Sequence, residues 1–534
     1  MNSMIYNPNE EYSSKFKDLH LKNTNDFFDD LVKLSAVNVE ENRATVKLYK
    51  QYNENIKKLK KKYNLWRFLR VLMIISIILI PLVLLKITPK IKALRNEIKL
   101  SDSKADEQLE LARRQMAPLN ALFTDRDALT IIESTLPLIS FAPCFSAEQK
   151  SDMIVNYDFD ESYDPEETTL DVLAGHYNEN PFFFEKKRIH KMGVETYHGY
   201  KTIHWIETYH DSDGKTHTRT RSQTLHATVV KPKPFYHTKV LLNYGAQGGP
   251  ELSFSRNASH LERKSEKEIE KIVKKGEKKL KKKTDEAIKQ NRDFVSMSNS
   301  DFEVLFDALD RTDEVQYRTL FTPLAQTNMV DLILSKEGYG DDFDFIKKNR
   351  ANRIVSEHSQ GRPLCLRPEN FVSYSFDEIK SNFINKNADF FKSVYFDLAP
   401  ILAIPVYQER PVHSLKPIPK SYALYSEKEY ETLANAINPC CVVHPNSNTP
   451  AILKSSFVRS QDGVDEISIK ALSYDIVKRI DFIPVHGDDG DWHSVPVPWD
   501  DYIPLEAENN FFVTADASPT RSVLAKHNDL CIFN

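Results

Sequence analysis

The sequence predicts an α+β protein: N-terminal helices and one membrane helix, followed by a mostly antiparallel β-containing region with long charged helices. Three observations predict it. Apolar residues recur at three-four spacing from Asp26 to Met116. From about 150 to 257, β-branched and aromatic residues alternate with polar ones. Val71 to Leu85 carries no charge in a chain that is otherwise 28% charged.

The chain has 534 residues, 41% of them hydrophobic, enough for two or three domains with cores. A formal net charge of −4 argues against a nucleic-acid binder, which would show a basic excess. Five cysteines (Cys144, Cys365, Cys440, Cys441, Cys531) are odd in number and show no C-x-x-C spacing, which excludes a disulfide framework and a zinc finger. Gly245, Gly248 and Gly249 lack the ending of a phosphate-binding loop and read as a turn.

Residues 1–64 form an N-terminal polar and helical region. Its first 25 residues are polar and expected to be disordered, and the apolar residues from Phe28 to Leu59 predict one or two helices. Residues 65–87 are the expected transmembrane segment. Fifteen apolar residues rise only roughly 22 Å against a hydrocarbon core of about 30 Å. Leu65, Trp66, Phe68, Leu69 and Ile87 extend the surface, and Arg67, Arg70 and Lys86 can snorkel, giving a span of roughly 34 Å. A buried core helix would keep a polar stripe, and a signal peptide would lie at the extreme N-terminus. Pro81 is compatible with a kinked span or with the tip of a re-entrant hairpin. The lipid bilayer is thus an expected partner and the cell membrane the expected location. Gln51 to Arg70 carries seven Lys or Arg and Lys86 to Ala105 six, so charge barely sets the orientation. Unpaired thiols and basic flanks on both sides tip it toward a cytoplasmic large domain.

Residues 88–148 read as a helical stalk or short coiled coil, stopped near Pro118, with a second helix after Thr124 capped through Asp127. Residues 149–260 are the antiparallel β-rich region. Asp213-Gly214 signals a tight hairpin placing His210 opposite His217. The histidines there (His198, His204, His210, His217, His226, His237) invite a metal hypothesis, but no Cys or Asp completes a ligand spacing. Residues 261–293 hold thirteen Lys or Arg against eight Asp or Glu and read as an exposed charged helix. Residues 294–534 form the C-terminal α+β domain, with Phe306, Leu320, Phe321 and Leu324 as expected core.

The stretch Asp301 to Ile333, with Phe302-Glu303, a strand at Val304 to Phe306, the acidic turn Asp310 to Asp313, Glu314 with Tyr317-Arg318, and Phe321-Thr322-Pro323, resembles the central motif of an uncharacterised bacterial family of membrane-anchored proteins. Gly338 to His358 and His486 to Tyr502 resemble membrane proteins of small wall-less bacteria. The resemblance implies a membrane-proximal α+β domain and no chemistry. That family usually has two adjacent spanning helices, where this chain shows one short run.

HGDDGDWH is the best candidate for chemistry. His486, Asp488, Asp491 and His493 supply nitrogen and oxygen ligands within eight residues, suited to Zn²⁺ or Mn²⁺. The stretch also lies between two β-like runs, and a hairpin turn at Asp489-Gly490 with solvated acidic neighbours is the favoured reading. His358, Asp341, Asp342 and Asp344 can similarly be read as acid-base groups, in a loop whose carboxylates more often cap a helix. No catalytic residue and no cofactor is assigned. The sequence therefore points to a membrane-anchored non-enzymatic scaffold or interaction protein, with a protein partner or a homo-oligomer. The alternative is a membrane-anchored metal-dependent hydrolase using the histidine-aspartate cluster.

Overall fold

The computed structural model describes residues 4–75, 83–160, 164–290, 297–308, 310–411 and 416–514. Its main helices are α1 (Lys17–Ser35), α2 (Val39–Ile75), α3 (Thr88–Asn120), α4 (Asp127–Thr135), α5 (Ala147–Tyr157), α6 (Glu266–Lys289), α7 (Ser300–Phe306), α8 (Glu314–Leu320), α9 (Pro323–Leu334), α10 (Phe376–Leu402) and α11 (Glu427–Ala436). The strands are β1 (Ile139–Phe141), β2 (Glu167–Tyr177), β3 (Asn180–His210), β4 (Thr216–Gly245), β5 (Ser253–Arg256), β6 (Phe343–Lys348), β7 (Ala351–Ser356), β8 (Ile452–Gln461), β9 (Val464–His486) and β10 (Trp492–Thr514). The class is α+β with antiparallel sheets. Contacts divide the chain into a helical unit, Glu10–Pro137 with Cys365–Tyr395, and a sheet unit made of the rest.

In the helical unit, Pro8–Glu11 and the π-helical turn Tyr12–Phe16 lead directly into α1, so much of the stretch expected to be disordered is ordered helix. Tyr12, Phe16, His20, Thr24 and Phe28 are buried at four-residue intervals. They face α10: Tyr12 lies 5.1 Å from the Tyr395 ring, His20 stacks on Phe391 at 4.0 Å, and Phe28 meets Phe383 at 5.4 Å. Two polar members hide this stripe from a hydropathy reading, and tertiary packing supplies its stability. α4 forms, but it starts at Asp127 with Arg126 rather than Thr124 at its N-cap; the Thr124 hydroxyl and N–H both donate to the Asp127 carboxylate at 2.5 and 3.0 Å.

The expected membrane span is overturned here. α2 and α3 run antiparallel, with Asn42 near Ala112, Lys60 3.7 Å from Asp102, and Lys90 4.2 Å from the Trp66 ring centroid. In one straight helix Trp66 and Lys90 would stand about 36 Å apart. Instead Val83, Ile87 and Ile91 pack with Tyr63, Trp66 and Met73, so the described flanks of the predicted span, up to Ile75 and from Val83, lie side by side. Among the described residues no helix is long and apolar enough to cross a membrane. The middle of the apolar run, residues 76–82, lies outside the described residues. The transmembrane helix, the cell-membrane location and the cytoplasmic orientation derived from it are therefore withdrawn.

The sheet unit contains a seven-stranded sheet in the order β1-β2-β3-β4-β7-β6-β5 and a three-stranded sheet β10-β9-β8. Phe182, Phe183 and Phe184 are all buried because this part of β3 is covered on both faces: Phe182 meets Phe141 on one and Phe183 stacks on Phe145 at 4.7 Å on the other. Phe254 of β5 and Phe345 of β6 form one aromatic cluster with Phe302, Phe306, Tyr317 and Phe321 from α7, α8 and the residue after it, with Phe302 and Phe321 4.9 Å apart. Phe306, Leu320 and Phe321 are buried as expected, whereas Leu324 is 43% exposed. Pro323 at the start of α9 sets the helical phase so that Ala325, Met329 and Ile333 face inward. The charged helix α6 forms where predicted.

Candidate functional site

β3 and β4 pair without interruption from Phe182 opposite Tyr244 to His210 opposite Thr216. β2 accompanies β3 only as far as Ile189, and β7 joins β4 only from Leu242, so the outer part is a two-stranded ribbon. Its turn differs from the predicted one. The Asp211 carboxylate accepts the N–H groups of Asp213 and Lys215 and closes a wider loop, so His217 faces Tyr209 and His210 faces Thr216. β9 and β10 make a second ribbon, paired to His486 opposite Trp492.

An isolated two-stranded ribbon is marginal in water. Here each ribbon supplies the other's core: Ile203, Leu225 and Ala227 of the first are buried with Val495 and Val497 of the second. Gly199 permits the approach, since a Cβ there would run into the Pro496 carbonyl. Lys231 ties the two stacked ribbons together, 2.7 Å from Asp481 and 4.1 Å from the Trp499 ring, while the Trp499 Nε1–H donates to Asp481 at 2.8 Å. The Lys231 and Trp499 hydrogen bonds hold the Asp481 carboxyl below its ordinary range.

With the inner faces filled, the outer ones are free. On the second ribbon Ile480, Phe482 and Trp492 are 57%, 64% and 70% exposed, and Phe482 faces Pro496 across the strands. His486 lies edge-on to Trp492 at 5.4 Å. On the first ribbon Val194, Tyr200, Ile206 and Val230 are exposed, and His198 Nδ1 meets His226 Nε2 at 3.0 Å.

The predicted metal residues sit at the tip of the second ribbon and do not converge. Gly490 has φ +90°, the Gly487 N–H donates to the Asp491 carbonyl, and the loop is a hairpin turn. His493 bonds Asp489, at 2.8 and 3.1 Å, and not Asp488 or Asp491, whereas the Asp488 N–H donates to Gln223. Desolvation acts the other way, yet the Asp491 N–H and the His493 ring keep the Asp489 carboxyl low. Among the described residues no group of three or more His, Cys, Asp or Glu stands close enough to hold a metal ion.

The second set of candidates does converge, in the interior. His358 Nδ1 lies 2.6 Å from Asp342, its Nε2 lies 3.5 Å from Asp397, and Arg362 donates to Asp397 at 2.5 Å. The Tyr339 ring stacks on His358 at 3.8 Å. All four charged side chains are under one-tenth exposed, so they join the loop before β6 to the loop after β7 and to the end of α10. Asp341 is used likewise, by the buried Arg256 and by the Ser259 hydroxyl at 2.6 Å, and Asp344 accepts the Ala258 N–H. These carboxylates hold loops rather than cap a helix. Lys347 was not singled out in the sequence, yet it is fully buried: its Nζ donates to the Gly248 and Asn349 carbonyls at 2.9 and 2.5 Å. Desolvation, helped by Arg350 and opposed by Asp158, pushes its pKa down to about 7.

Compared with known proteins, the chain matches no family model, no curated protein and no solved structure. The family resemblance read from the sequence thus rests on Asp301 to Ile333 and the two later stretches alone.

Proposed function

We propose that this chain is an interaction protein that works by binding other proteins rather than by catalysis, with the stacked ribbons as its binding arm. The observation that carries the reading is the outer face of the β9–β10 ribbon, where Ile480, Phe482 and Trp492 are more than half exposed on a hairpin whose core is complete without them. A contiguous apolar face rimmed by polar residues is what protein partners bury, and Trp anchors dominate such contacts. The titratable groups that do converge, around His358, are closed to solvent and tie loops together. The test is a Phe482→Ser, Trp492→Ser double variant. It is expected to melt at the wild-type temperature and to lose the proteins that cross-link to the wild-type chain in an extract of its source cells. An unchanged set of cross-linked proteins refutes the reading.

A further inference from the structure

The two ribbons have four long edges, and three are protected. A strand edge with unpaired N–H and C=O groups invites pairing, which proline, charge or a covering side chain prevents. The β10 edge carries Pro496, Pro498 and Pro504 at one phase. On β9, Pro484 guards the outer part, and Tyr474 is tied off by Asn448 and the Thr449 hydroxyl. On β4, Gln360 caps both backbone groups of Val240, Pro232 and Pro234 follow, and Arg219 and Arg221 stand toward the tip.

The fourth edge is open. From Lys191 to His210 no described strand pairs with the outer side of β3, and the sequence there contains no proline. Its phase follows from the prolines opposite. Pro232 and Pro234 face Val194 and Met192, and having no N–H they occupy the positions whose bonds would point away from the partner strand. In an antiparallel pair the facing residues share that direction, so every second residue from Met192 to Thr208 aims its backbone groups at the open edge. This row contains no Asp, Glu, Lys or Arg, is exposed throughout, and includes the β-branched Val194, Thr196, Thr202, Ile206 and Thr208. The row itself is suited to pairing, and the charges of this strand, Lys191, Glu195, Lys201 and Glu207, all stand at the alternate positions.

We propose that two copies of this chain pair antiparallel through the open edge of β3, about a twofold axis at His198, joining two ribbons into one four-stranded sheet. The register follows from charge. Pairing about His198 sets Glu195 opposite Lys201 of the second copy, and the symmetry repeats that contact. Thr196 then faces Tyr200, and Val194 faces Thr202. Pairing about Lys201 sets lysine against lysine and Glu195 against Glu207. An axis at Gly199 would match Lys191 with Glu207, whose carboxylate already holds two arginines, Arg219 and Arg221, at 2.5 and 2.8 Å. At the His198 register the Glu195 carboxylate holds one cation, Lys233, and Lys201 gives one of its three N–H groups to the Ser494 carbonyl, so each keeps capacity for the second copy.

The inference rests on the arm being a binding element, yet it uses a different ribbon from the Phe482–Trp492 face, so the two fail separately. Sedimentation equilibrium of the purified full chain is expected to show a reversible dimer at micromolar concentration. Thr196→Pro, at an outward-facing position, is expected to give a monomer with unchanged melting. Should that variant not fold, Thr196→Lys with Tyr200→Lys places like charges opposite each other across the new interface and leaves the ribbon intact. Paired residues here would have Cα atoms about 5.5 Å apart, within disulfide reach. H198C is therefore expected to cross-link to a covalent dimer under mild oxidation, and T208C is not. A wild-type chain that stays monomeric, a dimer that survives both edge variants, or equal cross-linking of H198C and T208C overturns the proposal.

Discussion

Lys347 is the residue whose environment departs furthest from its chemistry. A neutral amine has two N–H groups for its two carbonyl acceptors, whereas the ammonium would bring a third donor and a charge into the interior. With the folded pKa near 7 and an unfolded value of 10.5, the unfolded chain binds more protons between those limits, so stability falls as pH drops from 10.5 toward 7. Between pH 7 and 9 the wild type is expected to gain about 2 kcal/mol over Lys347→Met, measured as paired urea titrations. Arg256 is the opposite case, a buried charge with its counter-ion in place. Its side chain is 1% exposed and that of Asp341 0%. Arg256→Met leaves the carboxylate with Ser259 alone and is expected to cost about 3 to 5 kcal/mol. Adding Asp341→Leu should recover much of that loss in the same urea measurement, because no lone charge is then left inside.

Single elements show what the sequence could and could not reveal. The aromatic cluster around Phe321 was legible as core, because Leu320 and Phe321 fall on a helix's apolar phase and Phe306 on that of an expected strand, although Val304 to Phe306 ends the short helix α7 instead. Phe321→Ala is expected to cost about 3 to 5 kcal/mol by thermal melting, and an unchanged melting temperature would take this residue out of the core. The ribbons were legible as alternating strands and their tips as glycine turns. Their length and stacking were not, since Gly199 and Pro496 meet only once both hairpins exist. The stripe from Tyr12 to Phe28 escaped for another reason: His20 and Thr24 are polar residues made core by partners far along the chain. Val71 to Leu85 misled because apolar residues in a run look the same whether a helix passes straight through or folds back on Trp66. Of the candidate sites, His358 and Asp342 do meet, but spacing alone could not say that they meet away from solvent.

At the scale of the whole molecule, the helical unit has an acid weakness of its own. Burial lowers the His20 pKa to about 4, a little offset by its hydrogen bond to the Asn387 carbonyl. The unfolded chain takes up this proton first as pH falls from 6.5 toward 4, so stability present above pH 6.5 is lost through that window. Going from pH 7 to 5 is expected to cost about 2 kcal/mol, read as faster amide exchange in α1, and His20→Phe should remove the effect. The same packing has a consequence during synthesis. His20 and Asn387 are 367 residues apart, so the stripe that seals against α10 leaves the ribosome long before its partner. At about 5 to 20 residues per second the delay is roughly 20 to 70 seconds. Through that interval Phe16 and Phe28 wait for the α10 rings that cover them in the fold, so a chain stalled before residue 376 is expected to leave that stripe open to protease.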